Sequence, residues 1–392
     1  MKKTVVIGVT SSIATYKSVQ FVSDLLKKGY DVEVIMSENA TKFIQPLTFS
    51  SLTKHKTYVE TFDRVVEYDV EHISLAKKAD VFMIAPATAN VIAKVAHGLA
   101  DDMLTTTFLA ATCPKIIAPA MNTNMYTNSI TQDNIKLCKS YGITFVEPTT
   151  GLLACGDEGL GKLADIDTMI DIVEMTLQTK KPLAGKHVLV SAGPTVEAID
   201  PVRFISNQSS GKMGYAIAKA ARNLGAHVTL VSGPVNLKPI DKIDTVHIKS
   251  SKEMAFHMKA HFDDCDYIVM AAAVGDFTPK HVASEKIKKR ANQTSIALEK
   301  TEDILAYLGE HKTNQKICGF AMETQDVLEN AKRKFKEKNC DLLVVNDLNV
   351  EGAGFQSDTN KVTLIKENMH QELELMSKEV LAYKILEELQ NV

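Results

Sequence analysis

The chain has 392 residues, 45% of them apolar, and a formal net charge of −3. That length suits two domains with sizeable cores, and the near-neutral charge gives no global electrostatic case for nucleic acid or an anionic membrane surface. No apolar run approaches the roughly 20 residues of a membrane span, and six cysteines without paired spacing point to free thiols and the cytoplasm rather than to structural zinc or disulfides.

In chain order, the first half alternates short β-branched runs with helical patterns. Strands are expected at Thr4–Gly8, Asp31–Met36, Val81–Ala85, Lys115–Ala118 and Thr144–Val146, and helices at Tyr16–Lys28, His72–Lys78 and Asn90–Gly98. The N-terminal apolar run is broken at Ser11 and Ser12, so it reads as a first strand and not as a signal peptide. Near-continuous apolar strands alternating with helices argue an α/β fold with parallel sheets covered on both faces. A charged stretch with Pro182 and Gly185 is suited to a linker. It divides the chain into domains 1–182 and 183–392. The second half repeats the pattern, with strands expected at His187–Ser191, His227–Ser232, Thr245–Ile248, Tyr267–Ala272, Lys316–Phe320, Leu342–Val345 and Lys361–Ile365.

In such sheets ligands bind beyond the carboxyl ends of the strands, so the residues just after each strand carry the functional information. After the first strand, Thr10, Ser11 and Ser12 replace the glycines of a dinucleotide fingerprint, which suits either a monophosphate or an ordinary helix cap. After the second comes Ser37, where an NAD site would favour an acid. Ala85–Asn90 is a proline-bearing turn in which Thr88 and Asn90 are cap candidates or a frame for a flat polar ring. Pro119–Met125 places Asn122 and Met125 beyond another strand. His72 opens a helix, where the N-terminus favours the uncharged, base-competent imidazole. Cys155 sits in a glycine-rich loop, Gly151–Gly161, as an accessible thiol would.

In the second half, Gly193–Gly214 runs from a strand to a helix with small residues, hydroxyls and glycines, the composition of a phosphate-binding turn. Ala271 and Ala272 precede Gly275 and Asp276, small residues that let a base approach and an acid that can reach a sugar or metal. Glu285–Arg290 carries four cations in five positions, matched to a triphosphate or else a solvated charge run. Lys334 and Lys338 share one side of a helix that follows Phe320.

These motifs, in this order, resemble the flavin-binding cysteine decarboxylases, and over essentially the whole chain the bifunctional bacterial phosphopantothenoylcysteine decarboxylase / phosphopantothenate–cysteine ligase family. The resemblance implies two Rossmann-like domains, the first a flavodoxin-like flavoprotein. It places FMN over Thr10, Ser11, Ser12, Ser37, Ala85, Thr88 and Asn90, with His72 as base, Asn122 on the substrate carboxylate and Cys155 as proton donor. Met125 joins the substrate-binding set. For the ligase it implies CTP and Mg²⁺, with Ala271, Ala272, Asp276, Lys286, Asp303, Ile304, Phe320, Lys334 and Lys338 at the nucleotide and Asn207 and Arg203 at the acyl intermediate. Lys286 is implied to stabilise charge during activation, and no metal ligands are assigned. The implied partners are 4′-phosphopantothenate, cysteine and CTP, within a homo-oligomer of trimers joined by dimers, a dodecamer. The chain departs from the family pattern at Ser12, where many members carry glycine, and at Glu302, where they carry proline. Two other readings are an NAD oxidoreductase, disfavoured by the missing glycine fingerprint, and a regulatory flavoprotein, disfavoured by Cys155 and the complete second half.

Overall fold

A computed structural model describes residues 2–62, 70–152, 156, 158–288, 295–323, 327–347, 354, 356–367 and 369–392. The chain folds as two compact units, Met1–Thr179 and Lys180–Val392.

In the first unit, β1 (Thr4–Val9), β2 (Asp31–Met36), β3 (Thr57–Tyr58), β4 (Val81–Ala87), β5 (Lys115–Pro119) and β6 (Thr144–Phe145) form one parallel sheet in the order β3-β2-β1-β4-β5-β6. A parallel neighbour needs a crossover. The crossovers include α1 (Thr15–Lys27), α2 (Pro46–Thr53), α3 (Glu71–Lys78), α4 (Ala89–His97) and α5 (Met103–Ala110). Then come α6 (Thr123–Thr127), α7 (Ser129–Ser140), a hairpin of β7 (Thr149–Leu152) and β8 (Glu158–Lys162), and α8 (Ile166–Leu177). All six residues of β1 are buried, because successive side chains enter opposite cores. Val5 and Ile7 belong to one core cluster with Phe21 and Leu25 of α1 and Val173 of α8, whereas Val6 belongs to another with Ile92 of α4 and Leu104 and Phe108 of α5.

The second unit opens with β9 (His187–Ala192), then a small hairpin, β10 (Val196–Ala198) and β11 (Phe204–Ser206), before α9 (Lys212–Asn223). There follow β12 (His227–Ser232), β13 (Asp244–His247), α10 (Ser251–Ala260), β14 (Tyr267–Met270), a second hairpin of β15 (Phe277–Pro279) and β16 (Leu298–Lys300), and α11 (Ile304–His311). The chain continues through β17 (Lys316–Glu323), α12 (Val327–Glu337), β18 (Leu342–Asp347), β19 (Thr359–Asn360), β20 (Val362–Lys366), β21 (Met369–Glu372), β22 (Met376–Ser377) and α13 (Lys378–Gln390). The main sheet runs β13-β12-β9-β14-β17-β18-β20-β21.

This sheet is parallel from β13 to β18, but β20 and β21 run antiparallel. The expectation that Lys361–Ile365 extends a parallel sheet is therefore corrected. Among the described residues no helix connects β18 to β20, and a strand that returns without a helical crossover pairs antiparallel. Hydrophobic pattern reports burial and carries no strand direction. The segment expected to be one phosphate turn also contains the β10–β11 hairpin, so the turn proper is Asn207–Gly211. Gly211 caps α9 with φ 76°, a left-handed conformation that glycine adopts without a Cβ penalty.

The helices α9 and α13 cover one face of the second sheet, with Ile217, Ala221, Leu381, Ile385 and Leu386 in one cluster with Val188 and Val190. Leu386 is 1% exposed. Leu386→Ala is expected to lower the stability of this unit by about 2–5 kcal/mol, measured by urea denaturation of the full chain; a loss below about 1 kcal/mol would show that the site collapses around the smaller side chain.

Candidate active sites

In the first unit the strand order reverses between β1 and β4, and the expected site residues gather at the carboxyl ends of β1, β2, β4 and β5. Thr10 is 3% exposed. Its hydroxyl donates to Pro86 O at 2.8 Å and accepts from Thr88 N at 3.1 Å, tying the β1 and β4 ends together. The β4–β5 register shifts between Ile84 and Ala87, and at this irregularity Pro86 O accepts from the Thr10 N–H as well, at 3.3 Å. Thr10 thus links the two strand ends with its hydroxyl already engaged, and Ala85 O is taken by Ser18 Oγ at 2.8 Å.

Ser11 and Ser12 are half-buried, and Ser12 Oγ accepts from Ala14 N at 3.3 Å. Positive-φ non-glycine residues among those described are Lys54, Lys242 and Asn339, so Ser12 adopts backbone open to any residue. Thr88 caps α4, accepting from Val91 N at 3.3 Å, with exposed Asn90 in the first turn. Ser37 Oγ, just past β2, is buried without a hydrogen-bond partner, and so is Thr123 Oγ1, just past β5. Buried hydroxyls without partners mark places where a ligand or water completes the polar inventory.

Asn122 is half-buried and caps α6, its side-chain oxygen accepting from Asn124 N at 2.8 Å. Met125, on that helix, is 49% exposed. The stem of the glycine-rich loop packs on this turn: Met121 N donates to Gly161 O at 3.0 Å. Gly161 has φ 143°, and a Cβ there would stand 2.3 Å from Met121 O. Cys155 itself lies outside the described residues, but both strands that flank its loop are described, and β8 runs against the Asn122 turn. His72 is half-buried in the first turn of α3.

In the second unit a cleft of about 1040 Å³ lies at the carboxyl ends of the parallel strands. Its lining includes Asn207, the first turn of α9, Ala271, Ala272, Asp276, Asp303, Ile304, Phe320 and Lys334. The free backbone amides at the start of α9 and the small residues before it make that wall suited to an anion. Asn207 Nδ2 donates to Ala273 O at 3.1 Å and Val274 O at 3.2 Å, which fixes the turn against the β14 loop. Asp276 is exposed at the rim, and its carbonyl accepts from Thr301 N.

Three expected residues stand outside that lining. Lys338 forms an ion pair with Asp303, which caps α11 and accepts from Ala306 N at 2.9 Å. Partial burial opposes ionisation of Asp303, but Lys338, the Ala306 N–H and nearby Lys334 outweigh it and hold the carboxyl below its usual range. Arg203 is engaged with Asp200, and Lys286 is exposed on the loop after β15. Lys289 and Arg290, the rest of the expected cation run, lie outside the described residues. Glu302, where the family pattern has proline, forms an ion pair with Lys259.

The sequence reading missed Lys212, Asn346, Asn360 and Lys378, which also line the cleft. Asn360 is 3% exposed; its Nδ2 donates to Asn346 Oδ1 at 3.0 Å, and its own oxygen is buried without a partner. Lys378, 5% exposed, donates to Gly354 O and Ser357 O at 2.8 and 2.6 Å. Asn346, a polar residue in the otherwise apolar β18, was the available signal, and only the β18–β20 pairing and the start of α13 bring Asn360 and Lys378 to it.

Comparison with known proteins gives matches over both halves. Residues 1–178 match the family described as Flavoprotein, and residues 183–392 match the DNA/pantothenate metabolism flavoprotein C-terminal domain. The coenzyme A biosynthesis bifunctional protein of Bacillus subtilis (strain 168) is 46% identical over 391 residues, covering 99% of this chain and 96% of its own. That of Borreliella burgdorferi is 42% identical over 387 residues, covering 98% of each. A cysteine/cysteine sulfinic acid decarboxylase from an unknown prokaryotic organism is 44% identical over 350 residues, covering 88% of this chain and 98% of its own.

Burial, with the charge of Lys212 nearby, lowers Lys378 to about 8. The unfolded value is about 10.4, so between the two the unfolded chain holds a proton that the folded chain has lost, and stability rises with pH across that window. Below it both states are protonated and the cost of the buried charge is present in full. Lys378→Met is expected to flatten the rise in the urea midpoint of the second unit between about pH 8 and 10; an unchanged slope would show that Lys378 does not carry it.

Proposed function

We propose a division of labour between two sites on the premise that this chain belongs to the family of coenzyme A biosynthesis bifunctional proteins. The chain is an enzyme that joins cysteine to 4′-phosphopantothenate and decarboxylates the product to 4′-phosphopantetheine. Its first half is a flavoprotein. The observation that carries the reading is the second unit's strand-end cleft, which opens on a helix N-terminus beside small residues, together with the unpartnered buried hydroxyls of Ser37 and Thr123 just past two strands of the first unit.

We assign ligation to residues 183–392 with CTP and Mg²⁺. The acid's carboxylate oxygen attacks the α-phosphorus, the bond to pyrophosphate breaks, and an acyl-cytidylate forms. The cysteine nitrogen then attacks the acyl carbon, loses its proton, and releases CMP as the amide forms. The α9 N-terminus and the small residues before it suit phosphate oxygens. Lys286 is assigned to charge developing in the first step, and Asn207, already braced against the β14 loop, to the acyl group. Ala271, Ala272, Asp276, Ile304, Phe320 and Lys334 are assigned to the nucleotide. The Asp303–Lys338 pair is assigned the role of fixing the wall beside it.

Residues 1–182 are assigned the decarboxylation with FMN. The unpaired Ser37 and Thr123 hydroxyls, and the strand-end turns that carry Thr10, Ser11, Ser12, Ala85, Thr88 and Asn90, are assigned to a flat polar cofactor with a phosphate tail. When bound, the flavin supplies a reversible two-electron acceptor, so that the cysteinyl thiol passes through a thioaldehyde before CO₂ leaves and is restored afterwards. Asn122 and Met125 are assigned to the substrate, with Asn122 at its carboxylate; His72 to proton removal; and Cys155 to protonation of the ene-thiol left by CO₂. A cytoplasmic homo-oligomer built from trimers and dimers, a dodecamer, completes the proposal. Among the described residues no helix is long and apolar enough to cross a membrane.

The two assignments are separable in the full chain. Cys155→Ser is expected to stop formation of 4′-phosphopantetheine while pyrophosphate release continues at the parental rate, and Lys286→Gln is expected to slow pyrophosphate release at least tenfold while added 4′-phosphopantothenoylcysteine is still decarboxylated. Product analysis by mass spectrometry reads both. A Cys155→Ser enzyme that forms 4′-phosphopantetheine at the parental rate removes the proton-donor assignment, and CO₂ released from cysteine alone would favour the shorter substrate named for the third relative.

A further inference from the structure

We propose that Asp200 and Arg203 form a latch that positions Lys286, by seizing the backbone of its neighbour Ile287; the inference rests on the activation role assigned to Lys286 above. Asp200 is 3% exposed at the tip of the β10–β11 hairpin. Its Oδ1 accepts from Val202 N at 2.8 Å and Arg203 N at 2.9 Å, which closes the turn. Its Oδ2 accepts from Arg203 Nε at 2.9 Å, from Arg203 Nη2, and from Ile287 N at 3.2 Å. The same Arg203 Nη2 donates to Ile287 O at 3.0 Å.

Both backbone polar groups of Ile287 are thus held by one side-chain pair, as a neighbouring strand would hold them. A second tie, from Ala283 N to Ile199 O at 3.0 Å, fastens the loop four residues earlier. The other end of the hairpin leads directly into Asn207, which is fixed to Ala273 O and Val274 O. The two residues assigned to the acyl group and to activation are therefore registered through one turn.

This arrangement changes what Arg203 can do. Bidentate capture of a substrate anion uses the parallel donors of one guanidinium edge, and the Nε–Nη2 edge is already on Asp200. Exposed ion pairs contribute little, but the Asp200 side chain is wholly buried, so removing its partner leaves an unpaired buried charge. The Arg203 hydrogen bonds hold that carboxyl well below the usual carboxylate range, so the latch stays ionised wherever the enzyme is folded near neutrality.

Asp200→Asn keeps the volume and removes both the charge and one acceptor. In the full chain it is expected to raise trypsin cleavage after Lys286 and Lys288 about tenfold through local opening, with cleavage after Lys54 in the other unit unchanged as the control. The kcat for pyrophosphate release should fall about tenfold while KM for CTP stays within about twofold, and adding Asp200→Asn to Lys286→Gln should cost nothing further. Arg203→Lys, which cannot bridge Asp200 and Ile287 O in the same way, is the second variant should Asp200→Asn fail to fold. Unchanged cleavage at Lys286 and Lys288 overturns the latch. Multiplying losses in the double variant overturn its action through Lys286. If Lys286→Gln itself releases pyrophosphate at the parental rate, the role assigned to Lys286 fails, and the cleavage result alone decides the latch.

Discussion

A parallel strand cannot meet its neighbour without a crossover, and that geometric constraint decides where the chemistry of this chain can sit. Each crossover leaves a loop at the carboxyl end of a strand, where backbone groups leave the ladder and side chains stop being core. In the first unit the β1, β2, β4 and β5 ends converge, and Thr10 spends its hydroxyl locking two of them together. In the second, the β14, β17 and β18 ends and the start of α9 border the cleft. The antiparallel β20 then returns alongside β18, pairing Val362 with Asn346.

Within each site, several residues that look like ligand groups in sequence are occupied by the protein itself. Thr10 frames, Thr88 caps, Asp303 both caps a helix and pairs with Lys338, and Arg203 grips Asp200. The groups without a protein partner are others: the buried hydroxyls of Ser37 and Thr123 and the oxygen of Asn360, with the first-turn amides of α9 facing the cleft. The side chains that shape these walls are thus hydrogen-bonded without any ligand, and preorganised geometry is where polar catalysis gains most.

The sequence made the strand ends legible because parallel strands are apolar throughout and stop abruptly. Asp31–Met36 and His227–Ser232 are found with the expected bounds, and the other expected strands differ by a few residues at their ends, whereas the edge strands Thr57–Tyr58 and Met369–Glu372 were not expected. Direction was not legible: Val362–Lys366 has the same apolar pattern as its parallel neighbours, and only the absence of a helical crossover among the described residues turns it round. Lys378 and Asn360 were missed because each stands where capping or turn chemistry explains it locally, and tertiary pairing brings them to the cleft. Arg203 was expected from resemblance at the acyl group, yet its partner Asp200 and its hold on Ile287 depend on a contact 84 residues away in sequence. Cys155 was legible as chemistry and lies outside the described residues, although the packing of Gly161 on Met121 ties its loop's stem to Asn122.

The central claim is that one chain both joins cysteine to the phosphorylated acid and removes that cysteine's carboxylate. Cysteine labelled with carbon-13 in the carboxyl group, supplied with 4′-phosphopantothenate, CTP and Mg²⁺, tests it in a single reaction. The account predicts labelled CO₂ and pyrophosphate released in equal amounts at completion, with no label in the final thiol product. Pyrophosphate released while the label remains in the amide product, or no pyrophosphate at all, would contradict it.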